Sequence, residues 1–143
     1  MGEVDLSRFH SAHQHDYETA LAEIKKGRKT SCWMWYIFPQ IAGLGRSSVA
    51  QYYSIADAKE AAAYLHDPVL GGHLMEISRA LLELESNDAL AVLGAPDNLK
   101  LRSSMTLFAQ IAPENKVFQA VLDKYFGGKP DGRTLAVLKK QKK

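Results

Sequence analysis

Cys32 is the only cysteine in the chain, so no intramolecular disulfide can form and a reducing, cytoplasmic setting is expected. No apolar run approaches the roughly 18 residues that a membrane span requires. Met1–Asp5 is acidic with no apolar stretch behind it, so no secretory signal is expected either. Charge of neither sign dominates. The net charge is +2, and four lysines stand at 139, 140, 142 and 143, which leaves a slightly acidic body. Such a body has no nucleic-acid footprint, and no membrane partner is expected. The terminal lysines are expected to form a frayed basic tail over 139–143. Alternation with period two is also missing, apart from a short possibility at Trp33–Phe38.

What is present is helical periodicity. The 143 residues suffice for a single domain over 1–143 with its own core. Leu70, Leu74, Ile77, Leu81 and Leu84 recur at spacings of four and three, the strongest periodic signal in the chain. Asp67-Pro68 supplies its start, an N-cap followed by proline at the first helical position. Leu101, Met105, Phe108 and Ile111 mark a second stripe, and Phe118, Val121, Leu122 and Tyr125 a third. Near the N-terminus Leu6, Phe9 and His13 share a face, and Asp16 is expected to cap a separate helix over Tyr17–Lys26. The expected fold is all-α, an array of roughly seven to nine short helices around one core helix at about Pro68–Glu85. Leu74, Ile77, Leu81, Met105, Phe108, Phe118 and Leu122 are expected to share one core.

Two stretches carry polar groups that a core does not explain. Gly43-Leu44-Gly45-Arg46-Ser47-Ser48 is a glycine turn leading into a helix, where free N–H groups, Arg46 and Ser47 can cradle an anion. An ordinary serine cap explains the same residues. In the other stretch Lys100, Ser103 and Ser104 share one helical face, with Arg102 and Thr106 beside it. Hydroxyls in mid-helix work against helix propensity, so something is expected to use them. Ahead of both stretches in sequence order lies Lys29 followed by the aromatic run Trp33–Gln40.

Together these residues define an expected pocket: Lys29, Trp33, Trp35, Gln40, Arg46, Ser47, Lys100, Arg102, Ser103 and Ser104. Arg46 and Arg102 would jointly hold a phosphate while a tryptophan stacks on a ring, so the expected partner is a phosphorylated or nucleotide-like small molecule. The competing reading is a protein–protein adaptor that uses Trp33–Gln40 as an exposed patch. A third reading leaves the aromatic block as plain core. Cys32, two places after Thr30 and close to Lys29, is a candidate nucleophile, with His66 or His73 brought near by folding. His10, His13 and His15 lack a cysteine or carboxylate at ligand spacing, so no metal or cofactor is expected. Asp57, Glu60, Asp67 and Asp97 show no acid/base spacing, and no reaction follows from them.

The segments Gly27-Arg28-Lys29, Trp33–Gln40, Gly43–Ser47, Tyr64–Gly71 and Lys100–Phe108 resemble the bacterial domain of unknown function 1810 family. The resemblance runs from about Leu6 to Leu138. It implies a mostly helical protein of one domain with no established activity. The family pattern usually carries histidine where this chain has Cys32.

Overall fold

Phe9, His13, Tyr17, Ala20 and Ile24 step along the chain by three and four residues and form one buried stripe. The first helix, α1, therefore runs unbroken over Ser7–Lys25 in the computed structural model, which describes residues 4–142. The expected restart at Asp16 does not occur. Its carboxylate accepts a hydrogen bond from the Tyr36 hydroxyl instead of capping backbone N–H groups. The reading of Met1–Glu3 as free of an export signal, and Lys143 of the basic tail, lie outside the described residues.

Eight further helices follow among the described residues: α2 (Met34–Ile37), α3 (Ser48–Tyr52), α4 (Ala58–His66), α5 (Pro68–Glu83), α6 (Ala89–Leu93), α7 (Asp97–Ile111), α8 (Lys116–Phe126) and α9 (Gly132–Gln141). Helix accounts for 68% of the described residues, which makes the fold all-α. The run Trp33–Phe38 is a helical turn rather than a strand, closed by Pro39. One parallel bridge, Ile41 to Ile55, is the extent of β pairing among the described residues.

The helix starts follow one chemistry. Asp67 Oδ1 accepts from the N–H groups of Val69 and Leu70 at 2.9 and 3.0 Å, with Pro68 needing no partner. Asp88, Asn115 and Asp131 cap α6, α8 and α9 in the same manner. Gly127, at φ +62°, ends α8 in the left-handed conformation that other residues resist.

Two helices act as hubs. α5 packs against α1, α4 and α8, as expected of the core helix, while α7 shares the role by touching α4, α6, α8 and α9. A series of buried rings threads the hubs together. Phe9 meets Tyr64 edge-on at 5.0 Å, Tyr64 meets Phe108 at 5.6 Å, and Phe108 meets Phe118 at 5.7 Å. All seven core residues expected from periodicity belong to the same buried cluster. α9 continues through Gln141, so Lys139 and Lys140 are helical rather than frayed. Gln141 reaches back to donate to the Ala56 carbonyl at 2.9 Å.

The α4–α5 corner is tight. A Cβ placed on Gly71 would lie 1.9 Å from the Leu65 carbonyl oxygen, whereas one on Gly72 would meet nothing within 4 Å. Gly71→Ala is therefore expected to cost on the order of 1–3 kcal/mol or more, because backbone has to move. Gly72→Ala should raise stability by about 0.5–1 kcal/mol through helix propensity. Urea unfolding of the two variants checks the pair; equal effects would show that the corner is not close-packed.

Candidate functional site

The aromatic segment is positioned from the last turns of α1. Glu23 accepts four hydrogen bonds from the loop beyond it: Thr30 N–H at 2.7 Å, Ser31 N–H at 3.0 Å, Ser31 Oγ at 2.6 Å and Trp33 Nε1 at 2.9 Å. Partial burial pushes this carboxyl up, but the hydrogen bonds outweigh it and hold the pKa at about 2. The indole of Trp33 is thereby drawn inside, 1% exposed. Lys29 lies over that indole at 5.2 Å and pairs with Asp97 Oδ2 at 2.8 Å. Asp97 Oδ1 holds Lys100 at 3.5 Å, and Lys100 in turn lies 5.4 Å from the ring centre of Trp35.

A cleft of about 340 Å³ opens beside Lys100. Gln40, Leu44 and Gly45 form one wall, Pro96, Leu99, Lys100, Arg102 and Ser103 another, and Asp131 and Arg133 close it from the start of α9. The mid-helix hydroxyls have an occupant, and it is the chain itself. Ser103 Oγ lies 3.1 Å from Asp131 Oδ2, and Thr106 Oγ1 accepts the Asp131 N–H at 2.8 Å. Arg102 donates from Nε to the Lys129 carbonyl and from Nη2 to the Pro130 carbonyl, at 3.0 and 2.9 Å. These bonds dock the α8–α9 linker onto α7. Arg102 Nη1 has no protein acceptor among the described residues. Arg133 Nη2 donates to the Leu44 carbonyl at 3.3 Å, which joins the glycine turn to α9.

Of the residues expected at a site, Gln40, Lys100, Arg102 and Ser103 line this cleft together. The others do not. Lys29 is sealed against Asp97 and Trp33, and Trp33 is core. Trp35 borders Lys100 from a neighbouring groove. Arg46 is exposed outside the cleft, and Ser47 caps α3 by accepting the Ala50 N–H at 3.1 Å. Ser104 is fully buried and its hydroxyl has no partner. Arg133 and Asp131 were missed, because α9 offered only a weak stripe and its first turn carried no motif.

A second polar cluster joins α1, α2, α4 and α5 inside the fold. His13 Nε2 lies 2.8 Å from the Tyr36 carbonyl, which can only accept, so that nitrogen carries the proton. The Tyr64 hydroxyl donates to the same carbonyl at 3.0 Å. In neutral His13 the remaining Nδ1 must accept, and the proton between His13 and His73, 2.9 Å apart at their Nδ1 atoms, belongs to His73. Tyr17 stacks on His73 at 3.6 Å and donates to Glu76 at 2.5 Å. His73 is thus committed to His13 rather than to Cys32, which is exposed.

Burial depresses the His13 pKa to about 4, and the neighbouring His73 and His10 act in the same direction. The Tyr36 carbonyl and Asp67, itself paired with His10 at 2.7 Å, oppose it. Burial lowers His73 too, against the pull of Glu76 and Asp67. An unfolded histidine binds its proton near pH 6.5 while folded His13 does not. Stability should therefore be unaffected by this group above pH 6.5 and decline as pH falls from 6.5 toward 4, by roughly 3 kcal/mol. Urea unfolding across that range measures it. His13→Gln should be less stable at neutral pH yet show a slope shallower by about one proton; an unchanged slope would mean that His13 already binds a proton in the fold.

The fold and the cleft define a class: a small all-helical protein with a cleft between α7, the glycine turn and the start of α9 that is lined by Lys100, Arg102 and Arg133. A family model described as "Protein of unknown function (DUF1810)" matches residues 3–138, and the chain belongs to that family. It is similar to the conserved hypothetical protein Rv1873 from Mycobacterium tuberculosis, whose crystal structure was determined at 1.38 Å. The two are 43% identical, with a TM-score of 0.92 over 94% of this chain and 96% of that one. No curated protein matches the chain. No helix among the described residues is long and apolar enough to cross a membrane. No group of three or more metal-ligating side chains stands together among them.

Proposed function

We propose that the cleft between α7, the glycine turn and α9 binds a small phosphorylated molecule. The observation that carries this reading is a charge imbalance at one concave site. Lys100, Arg102 and Arg133 line it against one carboxylate, Asp131. That carboxylate is already engaged, because Asp131 Oδ2 accepts from the Thr134 N–H at 3.0 Å and from the Thr134 hydroxyl at 2.6 Å, with Ser103 Oγ alongside. Lys100 shares Asp97 with Lys29, so the free donors are those of Arg102 Nη1 and of Arg133. Arginine forks suit phosphate oxygens, and Leu44, Pro96 and Leu99 give an apolar flank for the rest of a ligand.

Size favours a sugar phosphate over a dinucleotide, since about 340 Å³ is near the lower end of ligand-pocket volumes. Trp33 is buried and takes no part in stacking. The adaptor reading has less support, because six of the eight residues of Trp33–Gln40 are buried.

Isothermal titration with sugar phosphates, mononucleotides and ADP-ribose tests the proposal. Sugar phosphates are expected to bind, and Arg133→Ala to weaken them at least about tenfold, the worth of one charge-assisted contact. Arg133 is the better probe, because Arg102→Ala would also undock the α8–α9 linker. Binding by no member of the panel, or equal binding by Arg133→Ala, would sink the idea.

A further inference from the structure

Residues of the aromatic run and of α3 line a second concave surface, away from the anion cleft's lining. A shallow groove of about 560 Å³ is lined by Trp35, Tyr36, Val49, Tyr52 and Tyr53, with Ser48 at its edge. Consecutive rings are tilted rather than stacked flat. Trp35 and Tyr36 stand 6.5 Å apart at 37°, Tyr36 and Tyr53 4.8 Å at 59°, and Tyr53 and Tyr52 4.8 Å at 79°. Tilted rings around a hollow offer several π faces to one occupant, and such faces carry the negative part of the ring quadrupole.

Asp16, from α1, adds a full negative charge behind these rings. Its carboxylate accepts the Tyr36 hydroxyl, and no cation among the described residues lies within ion-pairing distance of it. Its field reaches two of the groove's phenols: after burial, the Asp16 charge is among the causes that raise the pKa of both Tyr36 and Tyr53. Two cations border the groove and each is paired with a carboxylate: Arg8, whose Nε donates to the Tyr52 carbonyl, with Glu60 at 3.2 Å, and Lys100, 5.4 Å from the ring centre of Trp35, with Asp97 at 3.5 Å. Tyr52 is 60% exposed and Val49 41%, so among the described residues nothing covers this part of the groove.

We infer that this groove is a binding site for a small organic cation of the methylated-ammonium type, held on the ring faces of Trp35, Tyr52 and Tyr53, with Asp16, which lies behind the buried Tyr36, as the nearby counter-charge. One unpaired carboxylate matches one positive charge, which argues against a polybasic segment. A primary ammonium carries three donors and needs as many acceptors. The groove lining supplies ring faces and the Val49 side chain, and its acceptors are the hydroxyls of Ser48 and the tyrosines, with that of Tyr36 already bonded to Asp16. A quaternary ammonium needs no hydrogen bond and loses little hydration there.

The test uses choline and tetramethylammonium as chlorides, against sodium chloride of equal ionic strength and against 3,3-dimethylbutanol, the uncharged carbon analogue of choline. Binding is read from the indole NMR resonance of Trp35, assigned with Trp35→Phe, and from tryptophan fluorescence. Both cations are expected to shift the resonance saturably at about millimolar concentration, as a modest cation–π site would. The alcohol should not. Tyr52→Ala removes an exposed ring, and Asp16→Asn keeps an acceptor for Tyr36 while deleting the charge; each should weaken choline at least about threefold. Equal binding of the alcohol would show an apolar groove with no preference for charge and would overturn the inference. So would choline affinity unchanged in both variants, or no saturable shift of Trp35 with either cation.

Discussion

The carboxylate of Glu23 decides where the most aromatic part of the chain goes. The segment that follows α1 has to turn back on itself within a few residues, and the backbone N–H groups of Thr30 and Ser31 have no helix or sheet partner there. Glu23 takes the N–H groups of Thr30 and Ser31, the Ser31 hydroxyl and the Trp33 indole N–H at once. An ionised carboxylate is an acceptor with room for several donors, and charge-assisted bonds are the strong ones. With Trp33 pulled inward, α2 is left with Trp35 facing outward, and the chain after Pro39 is delivered to the bridge at Ile41 and Ile55. The cleft and the aromatic groove both follow from that geometry: Gln40 walls one and Trp35 the other.

Asp131 plays the corresponding part at the other end. It caps α9, meets Ser103 and offers its own N–H to Thr106, so one residue fastens the last helix to the hub α7. The polar face of α7 is therefore an internal docking surface as well as one wall of the cleft. Arg102 shows the division within a single side chain: Nε and Nη2 hold the linker and Nη1 is left over.

Charges are distributed to serve this arrangement. Asp97 is shared by Lys29 and Lys100, and each of these lysines also lies over a tryptophan ring. The imidazole of His13 is kept neutral, because its surroundings supply a carbonyl, a hydroxyl and a second histidine but no direct carboxylate partner. A charge there would lose far more hydration than those groups return. What remains uncompensated is cationic at the α7–α9 cleft and anionic at Asp16.

Periodicity alone determined the helical class, the core helix beginning at Asp67-Pro68, and the burial of Leu74, Ile77, Leu81, Met105, Phe108, Phe118 and Leu122. These are local facts: apolar residues at spacings of three and four must share a face, and a carboxylate before proline caps whichever helix follows. The local rule failed at Asp16, where the same residue type sits inside a helix because a distant tyrosine hydroxyl takes its oxygen. It failed again at Trp33 and at Ser104, which look functional in sequence and are core in the fold. Gln40, Lys100, Arg102 and Ser103, singled out by their chemistry, line one cleft in the fold, and Arg133 joins them without any sequence signal, since its place there depends on Asp131 meeting Ser103 and Thr106. Which polar side chains are consumed in holding the chain, and which are left facing a cavity, depends on partners up to 89 residues away in sequence. Only tertiary structure decides that, because a hydrogen bond needs its donor and acceptor within about 3 Å and sequence spacing does not state where distant segments meet.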